Sequence, residues 1–177
     1  MTRRQVFCAI VAVVATLNVV GAEERLRIVP LVHEKQMLVT LEIADAYTED
    51  VREAISSGLR TTFTYDVELR MLVAGWVDRT IASSVVSISV QYDNLTRRHS
   101  LSRTVDGRID EAVVTEDEEL VAKWLTSVER LPLCATAKLE RNRDYYVRVS
   151  ARKRPQKTFP FPWSGPTNGQ AKFTFIP

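Results

Sequence analysis

The amino-acid sequence predicts a mainly β protein: an antiparallel, β-sandwich-like single domain with two short helices, at about 48–57 and 116–128. Three observations carry that reading. Apolar and polar residues alternate without a break from Thr62 to Arg70, and again from Val85 to Asp93. This period of two belongs to antiparallel strands with one covered face. Asp106-Gly107 stands between two runs rich in branched residues, the strongest hairpin signal in the chain. Thr48 and Thr115 each precede acidic residues and then an apolar stripe at helical spacing, which marks helix starts. A parallel α/β sheet fits poorly, because its strands would be apolar on both faces.

The elements follow in order. Leu26, Ile28, Leu38, Leu41 and Ile43 place strands at 25–32 and 36–44, with His33-Glu34-Lys35 as the polar turn. Thr48 caps a helix whose first turn holds Glu49 and Asp50, where carboxylates complement the positive helix end. Val51, Ala54 and Ile55 form its apolar stripe, and Gly58 stops it. In the strand 62–70, Phe63, Tyr65, Val67 and Leu69 face inward, and Thr64, Asp66, Glu68 and Arg70 outward. From 85 to 93, Val86, Ile88, Val90 and Tyr92 face inward. The Asp106-Gly107 turn joins Leu101–Val105 to Arg108–Val114. Thr115 and Glu118 match a capping box, leading a helix with Leu120, Val121, Trp124, Leu125 and Val128 on its apolar face. A further strand runs from Tyr145 to Arg152, and Phe173-Thr174-Phe175 closes the sheet.

The N-terminus reads in three parts. Arg3 and Arg4 are followed by an apolar run of 15 residues, Val6 to Val20, and then by the small pair Gly21-Ala22. That is the pattern of a secretory signal peptide, and the run is shorter than the roughly 20 residues a membrane-crossing helix needs. The expectation is cleavage after Ala22, a single domain over 23–177, and a periplasmic or secreted location, with an uncleaved N-terminal anchor as the alternative. Cleavage would remove Cys8 and leave Cys134 alone, so no intramolecular disulfide is expected and a hydrophobic core must hold the fold. Cys134 follows Leu131-Pro132-Leu133, which suggests a small buried apolar residue. Arg3 and Arg4 are the only charged residues before Glu23, so the chain's formal +2 falls to zero on cleavage. A strongly basic nucleic-acid binder is therefore not indicated.

No catalytic, metal or cofactor motif stands out. Only His33 and His99 could serve as a histidine base, and no Gly-x-Ser-x-Gly elbow is present. Glu116-Asp117-Glu118-Glu119 fits a helix start better than a calcium site. Asp66 and Glu68 share a strand face at a spacing a glycosidase pair could use, although Arg70 beside them suggests a solvated charge row. Trp76-Val77-Asp78-Arg79 reads either as a corner packed around an Asp–Arg ion pair or as a binding hot spot built on Trp76 and Arg79. The richest candidate is the cationic set Arg148, Arg152, Lys153, Arg154 and Lys157, followed by Phe159, Phe161 and Trp163 between prolines. Cations beside aromatics suit an anionic surface; the alternative is that the aromatics fold back onto the sandwich.

In order along the chain, Gly58-Leu59, the strand Thr62–Leu69, Trp76-Val77-Asp78-Arg79, Tyr92-Asp93-Asn94-Leu95-Thr96, Leu101-Ser102-Arg103 and Trp124-Leu125 resemble a bacterial family of exported or envelope proteins known only as a domain of unknown function. The resemblance spans roughly 37–175. It implies export, a bacterial source and one domain, and a weak link to membrane sensor kinases; it supplies no catalytic residues. The sequence thus points to a non-enzymatic binding or accessory module of the cell envelope, without cofactor. Its expected partner is an envelope or membrane-associated protein, or an anionic envelope surface. A carboxylate-dependent hydrolase acting on an envelope polymer is the alternative.

Overall fold

A computed structural model describes residues 26–151 and 168–176. The chain folds back on itself first at Glu34-Lys35, both in the left-handed region with φ of 48° and 62°, the geometry that lets a two-residue turn follow strand twist. It joins β1 (Leu26–His33) to β2 (Gln36–Ile43). Helix α1 (Glu49–Ser56) starts where Thr48 Oγ1 accepts the Val51 N–H at 3.4 Å, and ends before Gly58, which turns the chain with φ +86°. The clearest alternating segment becomes β3 (Thr61–Met71). It pairs with β4 (Arg79–Asp93), which pairs with β5 (Arg98–Val105) and then β6 (Arg108–Thr115). Asp106-Gly107 forms the expected turn, both residues at positive φ.

Strands β8 (Arg143–Ala151) and β9 (Asn168–Phe175) complete a six-stranded antiparallel sheet in the order β6-β5-β4-β3-β8-β9. A second sheet, β1-β2-β7, contains a strand absent from the sequence reading, β7 (Ser127–Ala135). Its two-residue rhythm is broken by Arg130 at φ 52°, by shifts in its register with β2, and by Pro132. As an edge strand it can hold a proline.

The second helix is also corrected. Strand pairing persists to Thr115, opposite His99, so α2 runs only from Glu118 to Thr126. Its cap is Asp117, whose carboxylate accepts the Glu119 and Leu120 N–H groups at 2.8 and 3.4 Å. Thr115 Oγ1 instead accepts the Asp117 N–H at 3.0 Å. Val128 is buried, but in β7. β4 begins at Arg79, well before Val85, so Arg79 is the first residue of a strand.

One continuous core lies between the inner face of the six-stranded sheet and the layer made by the small sheet and the two helices. Tyr65, Val67, Leu69, Val86, Ile88, Val90, Tyr145, Val147 and Val149 come from the large sheet; Met37, Val39, Leu41, Val51, Ile55, Val121 and Leu125 come from the opposing layer. Each fully covered branched side chain contributes about 1.5–3 kcal/mol. At one margin Arg103 bridges the layers. Its guanidinium lies 4.5 Å from the Trp124 ring centre, donates to Glu111 at 3.2 Å and to the Ser127 carbonyl at 3.3 Å. The opposite sheet face is rich in hydroxyls, with Thr62–Ser89 and Thr64–Ser87 contacts of 3.0 Å across β3 and β4. Among the described residues no helix is long and apolar enough to cross a membrane.

Candidate functional site

Between Met71 and Arg79 the chain runs beyond the end of the large sheet. Leu72 N–H still bonds the Asp144 carbonyl at 2.9 Å, and then Val73 to Trp76 form a tight turn closed by a Trp76 N–H to Val73 carbonyl bond of 3.1 Å. Gly75 sits at its third position with φ +75°, where a type II turn demands the left-handed region. Asp78 holds this loop in place. One carboxylate oxygen accepts the Val73 N–H at 3.4 Å, the other accepts the Tyr146 hydroxyl at 2.9 Å, and the Asp78 carbonyl accepts Arg70 Nη2 at 3.1 Å. Burial, and then the bond to Asp78, raise the Tyr146 phenol above its ordinary pKa.

The clamp uses three elements to display two apolar side chains. Trp76 is 81 % exposed and Val77 74 % exposed. The expected packed corner is therefore not what forms: Asp78 turns inward, and Arg79 pairs instead with Glu140 at 2.9 Å. Glu140 also meets Arg143 at 3.5 Å, and its N–H donates to the hydroxyl of the buried Tyr145 at 2.7 Å. Asn142 N–H bonds the Phe175 carbonyl at 2.9 Å, which brings Ile176, 75 % exposed, to the same end of the sheet. Tyr146, Glu140 and Ile176 were not singled out from the sequence. They lie 68, 61 and, for Ile176, still more residues from the loop's Asp78 and Arg79, and no local pattern connects them.

The remaining candidates separate. Arg148 is exposed midway along β8, opposite Glu68 of β3. Arg152, Lys153, Arg154, Lys157, Phe159, Phe161 and Trp163 lie outside the described residues. The last described residue of β8, Ala151, pairs with Tyr65, six residues along β3 from Met71, or about 20 Å by strand rise. Glu68 pairs with Arg70 at 3.9 Å, which fits a charge row. Neither Asp66 nor Glu68 lines the groove beside Tyr92 and Asn94 or the one between Arg27 and Lys123. His33 is exposed beside Glu34, while His99 is buried against Tyr92 with ring centres 4.7 Å apart. Cys134 is partly covered rather than buried, and that burial raises its thiol pKa, which keeps it from being an activated nucleophile.

At the other end of the sheet, the β4–β5 hairpin exposes Leu95 to 95 %. Asp93 organises it: its carboxylate accepts the Leu95 N–H and the Thr96 hydroxyl, each at 2.9 Å. These bonds hold the Asp93 pKa below its ordinary value. Beside this hairpin a groove of about 530 Å³ is lined by Ser57, Gly58, Tyr92 and Asn94 among others.

Compared with known proteins, residues 24–168 match one family, described as a domain of unknown function (DUF4390). No curated protein and no solved structure matches the chain.

Proposed function

The chain belongs to the family described as a domain of unknown function, DUF4390, and from that premise we propose that it is an exported, non-enzymatic binding module of the bacterial cell envelope. Residues 1–22 act as a signal peptide cleaved after Ala22, and the working form occupies the periplasm or is secreted. Its contact surface is the Trp76 end of the large sheet. One observation carries this reading: Trp76 and Val77 are left in water by a loop that Asp78, Tyr146 and Arg70 hold rigidly. A large apolar side chain displayed on a fixed frame has lost its conformational freedom before binding, which is how hot spots gain affinity. Arg79, anchored on Glu140, stands beside it.

The test is capture from envelopes. The full chain, tagged at its C-terminus, is expressed in a bacterium, cross-linked in the cell and recovered from solubilised envelopes, beside a Trp76→Ala/Arg79→Ala variant. The expected result is an envelope component enriched by the wild type and reduced at least about tenfold in the variant, as loss of a hot spot of about 1.4 kcal/mol or more requires. Equal capture by both chains would remove this end of the sheet from the binding role. An Arg152→Ala/Lys153→Ala/Arg154→Ala variant run in parallel measures the basic segment separately.

A further inference from the structure

Resting on the reading that the Trp76 end is a contact surface, we propose that the surface it meets is an anionic lipid bilayer, with Trp76 and Val77 entering the interface and the neighbouring cations meeting the lipid phosphates.

The argument begins with the order of chemistry along the outward direction. Trp76 and Val77 sit at the tip of the 72–78 loop, beyond the strands, and both are mostly exposed. The cations are set back. Arg79 and Arg143 are the first residues of β4 and β8, and Arg141 lies in the turn just before β8. Val77 and Arg79 are two residues apart, at most about 7 Å along the chain. Apolar groups foremost and guanidiniums a few ångströms behind match a bilayer, where acyl chains lie beneath a layer of phosphates. Trp is favoured at that boundary because its ring is apolar and its N–H can stay wet. Ile176 adds a third exposed apolar side chain at this end.

The disposition of acids supports the same surface. Asp78 spends its carboxylate on Val73 N–H and Tyr146 hydroxyl, and Glu140 is held between Arg79 and Arg143. Asp144 accepts the Thr174 hydroxyl at 2.7 Å. Arg141 and Lys138 are exposed and, among the described residues, form no ion pair. Toward the opposite end the sign reverses. The acidic starts of α1 and α2 lie there, with Glu116 on Arg98 beside the β4–β5 hairpin and Glu118 acting on Tyr47. An anionic surface therefore attracts one end, repels the other and orients the molecule.

The experiment floats protein purified from cells expressing the full chain with vesicles of phosphatidylglycerol and phosphatidylcholine, and with phosphatidylcholine alone. The expected result is flotation with the anionic vesicles only, weakened by salt. Lys138→Glu/Arg141→Glu should weaken it by at least about tenfold, since each cation near an anionic surface is worth about fivefold. Trp76→Ser/Val77→Ser should weaken it at least as much, with an unchanged melting temperature showing that the variant folds. A blue shift of tryptophan emission on vesicle addition should be smaller in Trp76→Phe. Failure of the wild type to float, or equal flotation of wild type and Trp76→Ser/Val77→Ser, overturns the inference. If envelope capture still depends on Trp76 while vesicles are not bound, the binding module stands and its partner is a protein.

Discussion

The two ends of the large sheet each push a large apolar residue into water on a loop organised by one aspartate, and the difference between them lies in what the aspartate holds. The Asp93 carboxylate bonds to Leu95 and Thr96, two and three residues away, and its carbonyl accepts the Arg97 N–H four residues away, so every one of these bonds stays within the turn. Asp78 reaches back five residues to Val73 and across 68 residues to Tyr146, while its carbonyl receives Arg70. The Leu95 turn is a local device that any exposed hairpin can use. The Trp76 loop is fixed by tertiary structure, and two strands, β3 through Arg70 and β8 through Tyr146, contribute to fixing it. Exposure alone does not distinguish the two, since Leu95 is the more exposed; the investment in the frame does.

Breaking that frame should give the largest effect. Asp78→Ala leaves the Val73 N–H and Tyr146 hydroxyl without their acceptor in a partly covered site, at a cost of about 2–3 kcal/mol. For a domain of this size the melting temperature should fall by roughly 5–10 °C, read by circular dichroism. Envelope capture should fall with it, because the loop loses its fixed shape. A variant that melts like wild type would mean the loop holds itself and the comparison with Leu95 has no basis.

Tyr146→Phe removes one bond and keeps the ring, so about 1–1.5 kcal/mol is expected. This variant also carries a pH signature. The Tyr146 phenol is raised above its ordinary value of 10.0, so its contribution is complete below about pH 10 and is lost as the pH rises through the folded-state value. The gap in stability between wild type and Tyr146→Phe should therefore narrow in alkaline denaturation curves. A gap that stays constant to high pH would show that the hydroxyl does not carry the clamp.

How far the sequence foretold all this follows from the range of each interaction. Strands β3 and β4 were legible because an antiparallel strand with one covered face writes its environment into every second residue, as Phe63, Tyr65, Val67 and Leu69 do. β7 was hidden because Arg130 and Pro132 break that rhythm. Its Val128 also falls at helical spacing from Trp124 and Leu125, so the helix pattern runs on through Ser127, where the backbone has already become extended at φ −139° and ψ 135°. Thr115 and Glu118 satisfied the capping-box spacing, but pairing with His99 kept Thr115 in the sheet. At the candidate site, Trp76 and Arg79 were visible as unusual loop residues. Their supports, Tyr146 and Glu140, were not, since only β3–β8 pairing brings them near.

The pH response of the other loop runs in the opposite direction. Hydrogen bonds from Leu95 and Thr96 hold the Asp93 pKa below its ordinary 3.8. Its contribution is thus present above about pH 4 and is lost as the pH falls through the folded-state value. Asp93→Asn should lower the melting temperature less than Asp78→Ala does, and the difference from wild type should shrink in acid. An equal loss at pH 7 for the two aspartate variants would erase the distinction between a local and a tertiary loop.

The smallest effect is expected at Leu95, and it is the sharpest control on the whole comparison. Its side chain is 95 % exposed, so Leu95→Ser removes almost no buried area and should shift stability by less than about 0.5 kcal/mol. Trp76→Ser should be equally silent in a melting curve, because its ring is also mostly in water. The two substitutions then differ in one measurement only. If the frame around Asp78 exists to present Trp76, envelope capture falls with Trp76→Ser and is untouched by Leu95→Ser. If capture falls equally with both, exposed apolar surface is acting without regard to how it is held, and Asp78, Tyr146 and Arg70 are there to end a sheet rather than to build a binding tip.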